Sequence, residues 1–189
     1  MKNDNKEEKR ELLILRHGKS DWDKTVDDYH RPLKNRGKRG AQRIGIWLAQ
    51  NNLVPDTVIS SPAERAKVTA EKACKAMGFV KKDISFEKRV YLAEVNDLLA
   101  VLANCPPSSK RVMLVGHNPG LEELLLYLCG PIPIPDDGKL LPTATLARLE
   151  SSLACPARSL LQSAGISSLA NAAVGNNFPS SGTVIGPHK

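Results

Sequence analysis

The chain has 189 residues, of which 41% are hydrophobic and 25% charged, a composition that excludes collagen-like, mucin-like and wholly disordered proteins. Its net charge of +7 is compatible with binding to nucleic acid, to an acidic partner or to a phosphorylated substrate. No apolar run approaches the roughly 18 residues that span a bilayer, and the polar N-terminus lacks the apolar segment of a signal peptide. We therefore expect a cytoplasmic protein that does not engage a membrane.

Predicted strands and helices alternate along the chain up to Glu150. In chain order they are a strand over 12–16, a helix over 36–50, a strand over 57–60, a helix from Pro62 to Gly78, a strand over 84–90, a helix over 95–104, a strand over 111–117, a helix from Leu121 to Gly130, and a strand over 143–150. Short apolar runs indicate buried strands, and apolar residues three or four apart indicate amphipathic helices. This alternation predicts a three-layer α/β/α fold with a mostly parallel sheet.

The composition changes at residue 151. All 20 acidic residues lie at or before Glu150, whereas 151–189 is rich in Ser, Ala and Gly. Residues 1–10 read as a polar extension, 11–150 as one domain, and 151–189 as a low-complexity tail that is mostly disordered and catalytically unnecessary. A frameshift, a late extension or a structural element would each account for such a tail. If it is disordered, the last predicted strand is left with an exposed edge.

The four cysteines show no CxxC pair and no spacing with histidine that is typical of zinc sites. They are therefore expected to be reduced thiols, mostly in apolar surroundings. No metal and no cofactor is predicted.

Three polar turns follow predicted strands. They are Arg16-His17-Gly18, Ser60-Ser61-Pro62 and Gly116-His117-Asn118. Because ligands of parallel sheets collect beyond the carboxyl ends of the strands, we expect the three turns to meet. Arg65 lies one helical turn beyond the second of them. Arginine is a planar donor for phosphate oxygens, and neutral histidine is a nucleophile or proton carrier, so this set predicts phosphoryl chemistry. None of the turns holds a carboxylate or cysteine, which argues against a metal pocket.

The stretch LILRHGKSDW resembles the RHG signature of the histidine phosphatase superfamily, which includes the phosphoglycerate mutases. Together with HRPLKNRGKRGAQRIGIWL, VISSPAERAKVTA and LVGHNPGLEELLLYL, it is similar to the SixA-type phosphohistidine phosphatases over about residues 11–150. The resemblance implies a phosphoglycerate mutase-like fold. It also implies that His17 attacks phosphorus to form a phosphohistidine, which water later hydrolyses, while Arg16, Arg65 and His117 hold the phosphoryl oxygens.

Other residues are marginal candidates. Gly18 either lets the backbone approach the phosphate or is a plain turn glycine. Asn118, Ser20 and Ser61 are candidates for additional hydrogen bonds to the substrate. Larger members of the superfamily carry an acidic general acid near the leaving group, and Glu94 is the one carboxylate at a plausible place. A solvated residue before a helix is the favoured interpretation of Glu94.

Three functions are compatible with this sequence. The first is a phosphatase acting on phosphohistidine in a signalling protein of the histidine phosphotransfer type. The second is a small-molecule phosphomonoesterase or mutase of the same superfamily, and the third is a non-catalytic module that binds phosphorylated partners. The segment 31–43 carries six basic residues and no acidic one, so it is either a docking surface for an acidic or phosphorylated protein or a solvated helix face. Aromatics are only 4% and no nucleic-acid-binding signature is present, so nucleic acid is not expected. We expect a monomer.

Overall fold

The computed structural model describes residues 10–23, 25–133, 138–151 and 183–185. Its strands are β1 (Arg10–Arg16), β2 (Thr57–Ser60), β3 (Ile84–Phe86), β4 (Arg111–Gly116), β5 (Leu146–Ser151) and β6 (Thr183–Ile185), and its α-helices are α1 (Asn35–Gln50), α2 (Glu64–Met77), α3 (Val95–Ala103) and α4 (Gly120–Cys129). Two 3₁₀ turns, Lys81–Asp83 and Lys88–Val90, flank β3. No helix in this part of the chain is long and apolar enough to cross a bilayer.

The strands form one sheet in the order β3-β2-β4-β1-β5-β6. β3, β2, β4 and β1 are parallel, whereas β5 runs antiparallel to both of its neighbours. β4 lies between β1 and β2, with Gly116 beside Arg16 and Val115 beside Ser60. This register brings the ends of β1, β2 and β4 to the same edge of the sheet.

Helices cover both faces of the sheet. Leu13 and Leu15 of β1 pack with α1 and α2 on one face, and Leu12 and Ile14 pack with α3 and α4 on the other. All four are at most 2% exposed, which explains why β1 is apolar at successive positions instead of alternating with polar residues. The prediction of an α/β fold with helices on both faces of a mostly parallel sheet is confirmed.

The predicted strand over 84–90 is wrong beyond Phe86. Phe86 pairs with Ser60, which is the last residue of β2, so no further strand partner is available. The chain turns into the 3₁₀ segment Lys88–Val90, where the Glu87 side chain accepts a hydrogen bond from the N–H of Arg89.

Two other predicted boundaries shift for local reasons. The last body strand begins at Leu146 and not at 143, because Ala144 adopts a left-handed conformation with φ 57° and donates its N–H to the carbonyl of His17. Helix α2 begins at Glu64, so Pro62 precedes the N-cap residue Ala63 instead of occupying the first turn.

The chain after residue 151 is not wholly separate from the sheet. Thr183–Ile185 pairs antiparallel with β5, so the expectation that the edge of the last body strand is left open is wrong over the residues that β6 covers. The tail prediction for 152–182 and 186–189, and the extension predicted for 1–9, fall outside the described residues. The three-part division of the chain stays a prediction.

The cysteines of the described region are thiols that form no disulfide. Cys74 and Cys105 are buried and Cys129 is half-buried. Burial raises the pKa of the Cys74 thiol to about 12 and that of Cys129 to about 11. Both thiols therefore stay protonated at neutral pH. Cys155 lies outside the described residues.

Candidate active site

Backbone hydrogen bonds of the sheet bring the three polar turns together. The N–H of His17 donates to the carbonyl of Gly116 at 3.1 Å, and the N–H of Ser61 donates to the carbonyl of Val115 at 2.9 Å. His117 follows Gly116 on the central strand β4. The histidines are therefore placed by backbone pairing, and their ring centroids lie 5.1 Å apart.

The His17 imidazole is buried and held in one orientation. Its Nδ1 lies 2.8 Å from the carbonyl oxygen of Gly18, which can only accept, so Nδ1 carries the proton and Nε2 keeps its lone pair. Burial lowers the pKa of His17 to about 4 against the opposing effect of the Gly18 carbonyl, and the charges of Arg65 and Arg16 lower it further. At neutral pH the ring is an uncharged nitrogen nucleophile.

His117 is anchored by Ser61. Its Nε2 lies 2.8 Å from the Ser61 hydroxyl, whose oxygen also accepts the N–H of Ala63 at 3.3 Å. The other ring nitrogen of His117, Nδ1, is buried and has no hydrogen-bond partner among the described residues. Burial is the main cause that lowers the pKa of His117 to about 3, and the nearby His17 and Arg65 lower it further. In the tautomer in which the Ser61 hydroxyl donates to Nε2, Nδ1 carries the proton and can donate it to an anion.

The Arg16 guanidinium is held in place by a hydrogen bond to a backbone carbonyl. Its Nη1 donates to the carbonyl of Leu141 at 2.6 Å, and the N–H of Leu141 donates to the Glu122 carboxylate at 2.8 Å. Burial lowers the pKa of Arg16 although Glu122 opposes it. The Nε of Arg16 is buried without a partner in the described region. Asn118 shares the same anchor, since its side-chain amide donates to Leu141 at 3.1 Å.

Arg65 is held by the loop between β1 and α1. Its side chain is 7% exposed and pairs with the carboxylate of Asp28 at 2.8 Å. The Tyr91 hydroxyl donates to the same Asp28 oxygen at 2.9 Å, and Arg31 pairs with the other oxygen at 3.0 Å. Burial tends to raise the pKa of Asp28, but the hydrogen bonds from Tyr91 and Arg65 outweigh it and lower the pKa. Asp28 is therefore an anion that orients Arg65.

Gly18 is needed for packing. A Cβ at this position would lie 2.6 Å from the carbonyl oxygen of Gly37, in the first turns of α1, and a Cβ at Gly37 would lie 2.4 Å from the carbonyl of Lys19. The segment that follows His17 and helix α1 therefore touch backbone to backbone. The N–H of Gly18 also donates to the Thr69 hydroxyl at 3.0 Å. The close approach of Gly18 to Gly37 explains why residue 18 is a glycine, independently of the predicted approach of its backbone to phosphate.

The remaining candidates are placed less centrally. Ser20 is buried and forms an isolated antiparallel bridge with Leu33, and no hydrogen bond in the described region joins its side chain to His17. Glu94 is the exposed N-cap residue of α3. It is among the residues that line a cleft of about 460 Å³, together with His117 and Asn118.

Three further groups lie near His17. The His117 ring is 5.1 Å away, and Arg65 and Arg16 are close enough for their charges to lower the pKa of the His17 ring. Such a set can stabilise an anion that approaches Nε2 of His17, because preorganised donors need no rearrangement. Within the described residues, no group of three or more His, Cys, Asp or Glu could hold a metal ion.

Sequence reasoning missed the groups that orient these side chains. They are Asp28, Tyr91, Thr69, Glu122 and the carbonyl of Leu141. Thr69 had a signal, since it lies four residues after Arg65 on the same face of α2 and donates to the carbonyl of Arg65 at 2.6 Å. For Asp28 the only signal in the sequence is its position three residues before Arg31. No periodic pattern indicates that the loop containing Asp28 folds back onto α2.

Comparison with known proteins gives one family. The model of the histidine phosphatase superfamily (branch 1) matches residues 12–96. An uncharacterised chloroplastic protein of Arabidopsis thaliana is 28% identical over 130 residues, which cover 64% of this chain and 60% of that protein. A 2,3-bisphosphoglycerate-dependent phosphoglycerate mutase of Arthrobacter sp. (strain FB24) is 30% identical over 141 residues, or 68% of this chain and 51% of that enzyme. The chain thus spans 60% or less of these curated relatives.

Solved structures agree in fold. A candidate phosphohistidine phosphatase SixA from Agrobacterium tumefaciens matches with a TM-score of 0.64 and 30% identity, covering 75% of this chain and 92% of that one. A second SixA candidate, from Nakamurella multipartita, matches with a TM-score of 0.63 and 25% identity, covering 76% and 86%. A protein histidine phosphatase SixA bound to tungstate matches with a TM-score of 0.64 at 21% identity, covering 74% and 86%, and shows the shared fold.

Proposed function

The chain belongs to the histidine phosphatase superfamily and is of the SixA type, and from this premise we propose that it is a phosphatase that removes the phosphoryl group from phosphohistidine on a signalling protein. The observation that carries the proposal is the state of His17. Its Nδ1–H is engaged by Gly18 and its Nε2 lone pair is free, in a ring that burial keeps neutral.

The proposed reaction has two displacements at phosphorus. Nε2 of His17 forms a bond to phosphorus while the bond from phosphorus to the substrate nitrogen breaks, and the released imidazole takes up a proton from water. Water then attacks the phosphohistidine, which frees inorganic phosphate and restores neutral His17. Arg16, Arg65 and Nδ1–H of His117 hold the three equatorial oxygens, where charge accumulates in a loose transition state.

The leaving group determines whether an acid is needed. An imidazole is a much better leaving group than an alkoxide, so an exposed Glu94 at the mouth of the cleft is dispensable for phosphohistidine. The same carboxylate favours a second candidate, a phosphomonoesterase for small alkyl phosphates, because it lines the cleft together with His117. The relatives named as phosphoglycerate mutases handle alkyl phosphates, and under this candidate Glu94 would protonate the leaving oxygen.

A turnover comparison tests the proposal. Phosphate release is measured from a protein phosphorylated on histidine, from free phosphoramidate, from an aryl phosphate and from sugar phosphates. The proposal expects kcat/KM to be highest for the phosphohistidine protein and to be unchanged in Glu94→Gln. Preference for a sugar phosphate, with a loss in Glu94→Gln confined to alkyl phosphates, would replace it by the second candidate. Absence of turnover on every substrate, with retained binding, would indicate a non-catalytic module.

A further inference from the structure

A basic groove lies beside α1, next to the active site. Its volume is about 740 Å³, and four cations line it: Lys19, Arg36, Arg39 and Arg43. None of the described residues along it is acidic. The floor is formed where Gly40 meets the Thr143–Ala144 segment, and a Cβ at Gly40 would lie 2.9 Å from that of Ala144. The groove is therefore a concave surface with one sign of charge.

These cations are not neutralised by the described part of the chain. Lys34, just before α1, pairs with Asp21 and Asp23, whereas Arg36, Arg39 and Arg43 make no ion pair with a described residue. The sequence from Ser151 to Lys189 contains no Asp or Glu side chain. Among the described residues, the three arginines are therefore available to carboxylates of another molecule.

The charge arrangement also costs helix stability. The arginines are exposed and spaced three and four apart on α1, so each has a like charge as its neighbour. The first turn of α1 contains no acidic residue, although the helix dipole favours anions there. Both features disfavour the isolated helix. An anionic chain that lies along α1 would offset both, because it pairs with the arginines and places negative charge near the start of the helix.

The groove adjoins the segment that follows His17. Lys19 is two residues beyond His17, and Ala144 donates its N–H to the carbonyl of His17 at 3.1 Å. Gly18 and Gly37 touch backbone to backbone. The groove therefore begins within a few residues of His17, close enough for residues that flank a phosphoryl group at His17 to approach α1.

We propose that this groove docks an acidic segment of the phosphorylated substrate protein, next to the residue that carries the phosphoryl group. The inference deepens the proposed function and rests on it. Carboxylates of the segment pair with Arg36, Arg39 and Arg43 while the phosphoryl group enters the site. Because exposed charges are screened within about a Debye length, the docking weakens as salt rises.

Two synthetic peptides test the docking. Both carry the same phosphohistidine, one with Asp and Glu on its flanks and the other with Asn and Gln. At low ionic strength we expect the wild-type protein to cleave the acidic peptide with a kcat/KM about 10-fold higher, as several exposed ion pairs of modest strength would give. In R39E/R43E this preference disappears, while turnover of an aryl phosphate is unchanged. K72E/K75E, with the same charge change on exposed positions of α2, is the control and keeps the preference.

A second measurement separates this inference from the proposed function. Fluorescence anisotropy with the unphosphorylated acidic peptide reports docking without catalysis, and R39E/R43E should weaken it about 10-fold. If neither phosphopeptide is cleaved although the aryl phosphate is, the phosphohistidine assignment fails. Anisotropy alone then shows whether the groove binds an acidic peptide. Equal binding by the wild type and R39E/R43E overturns the inference. Tighter binding of a single-stranded oligonucleotide of equal charge also overturns it and identifies a nucleic-acid surface.

Discussion

Acidification should destabilise the protein through its two buried histidines before the carboxylates with lowered pKa values titrate. His17 and His117 have pKa values of about 4 and about 3 when folded, against 6.5 in the unfolded chain. For a base whose folded pKa is depressed, the unfolded state binds protons more strongly, so stability falls as the pH drops below 6.5. Glu11 and Asp28 have lowered pKa values, and their contribution is lost only below about 4.5.

The size of the effect follows from these values. At about 1.36 kcal/mol per pKa unit, each histidine removes about 2 kcal/mol between pH 7 and pH 5, where the unfolded imidazole is charged and the folded one is neutral. The two together remove about 4 kcal/mol, a large part of the 5–15 kcal/mol that is typical of a domain.

Urea denaturation at pH 7, 6 and 5 measures this loss. The free energy of unfolding of the wild type should fall by about 4 kcal/mol over the range, and that of His17→Asn by about half as much, because only His117 is left to titrate. A wild-type change below about 1 kcal/mol, or equal slopes for the two proteins, would refute the account of two buried neutral histidines. Turnover should stay constant over the same range, since His17 remains the neutral nucleophile down to about pH 4.

Four further outcomes are expected. His17→Ala should lose turnover and keep its fold by circular dichroism, and wild-type protein should yield an acid-labile, base-stable phosphate on His17 after a quench; full activity in the variant would remove the nucleophile assignment. Arg65→Ala should lower kcat/KM more than Arg65→Lys, both by at least about 10-fold, because a point charge does not reproduce the planar fork that Asp28 orients; wild-type rates in Arg65→Ala would contradict this. Chelators should leave turnover unchanged, and loss in EDTA with rescue by magnesium or zinc would show a required cation. Truncation after Ser151 removes β6 and should preserve turnover but increase self-association by light scattering, because the edge of β5 is opened; unfolding of the truncated protein would make the tail part of the domain.

The sequence predicts the parts of the site that depend on periodic structure. His17, Ser61 and His117 follow apolar strands, and strand ends of a parallel sheet share an edge, so their meeting could be inferred without coordinates. The orienting groups were missed because they depend on tertiary contacts. Asp28 reaches Arg65 only through the path of a loop, and the strand predicted over 84–90 obscured the turn that brings Tyr91 against Asp28.

The same reason explains β6. A strand is predicted from apolar residues bounded by turn signals, and Thr183–Ile185 lies in an acid-free stretch whose composition indicates a flexible tail. Its place is determined by the open edge of β5, which a local pattern in the tail does not reveal.

The pairing of β1 with β4 governs when the site can first exist. Glu11 lies beside Arg111, a separation of 100 residues, and β4 joins β1 to β2. Loop closure over such a length is an entropic barrier that local helix formation does not repay, which makes this topology slow to fold. During synthesis from the N-terminus, a nascent chain has His17 and Arg65 early but acquires no catalytic competence until β4 has left the ribosome. The time at which activity appears would therefore report when the central sheet is complete.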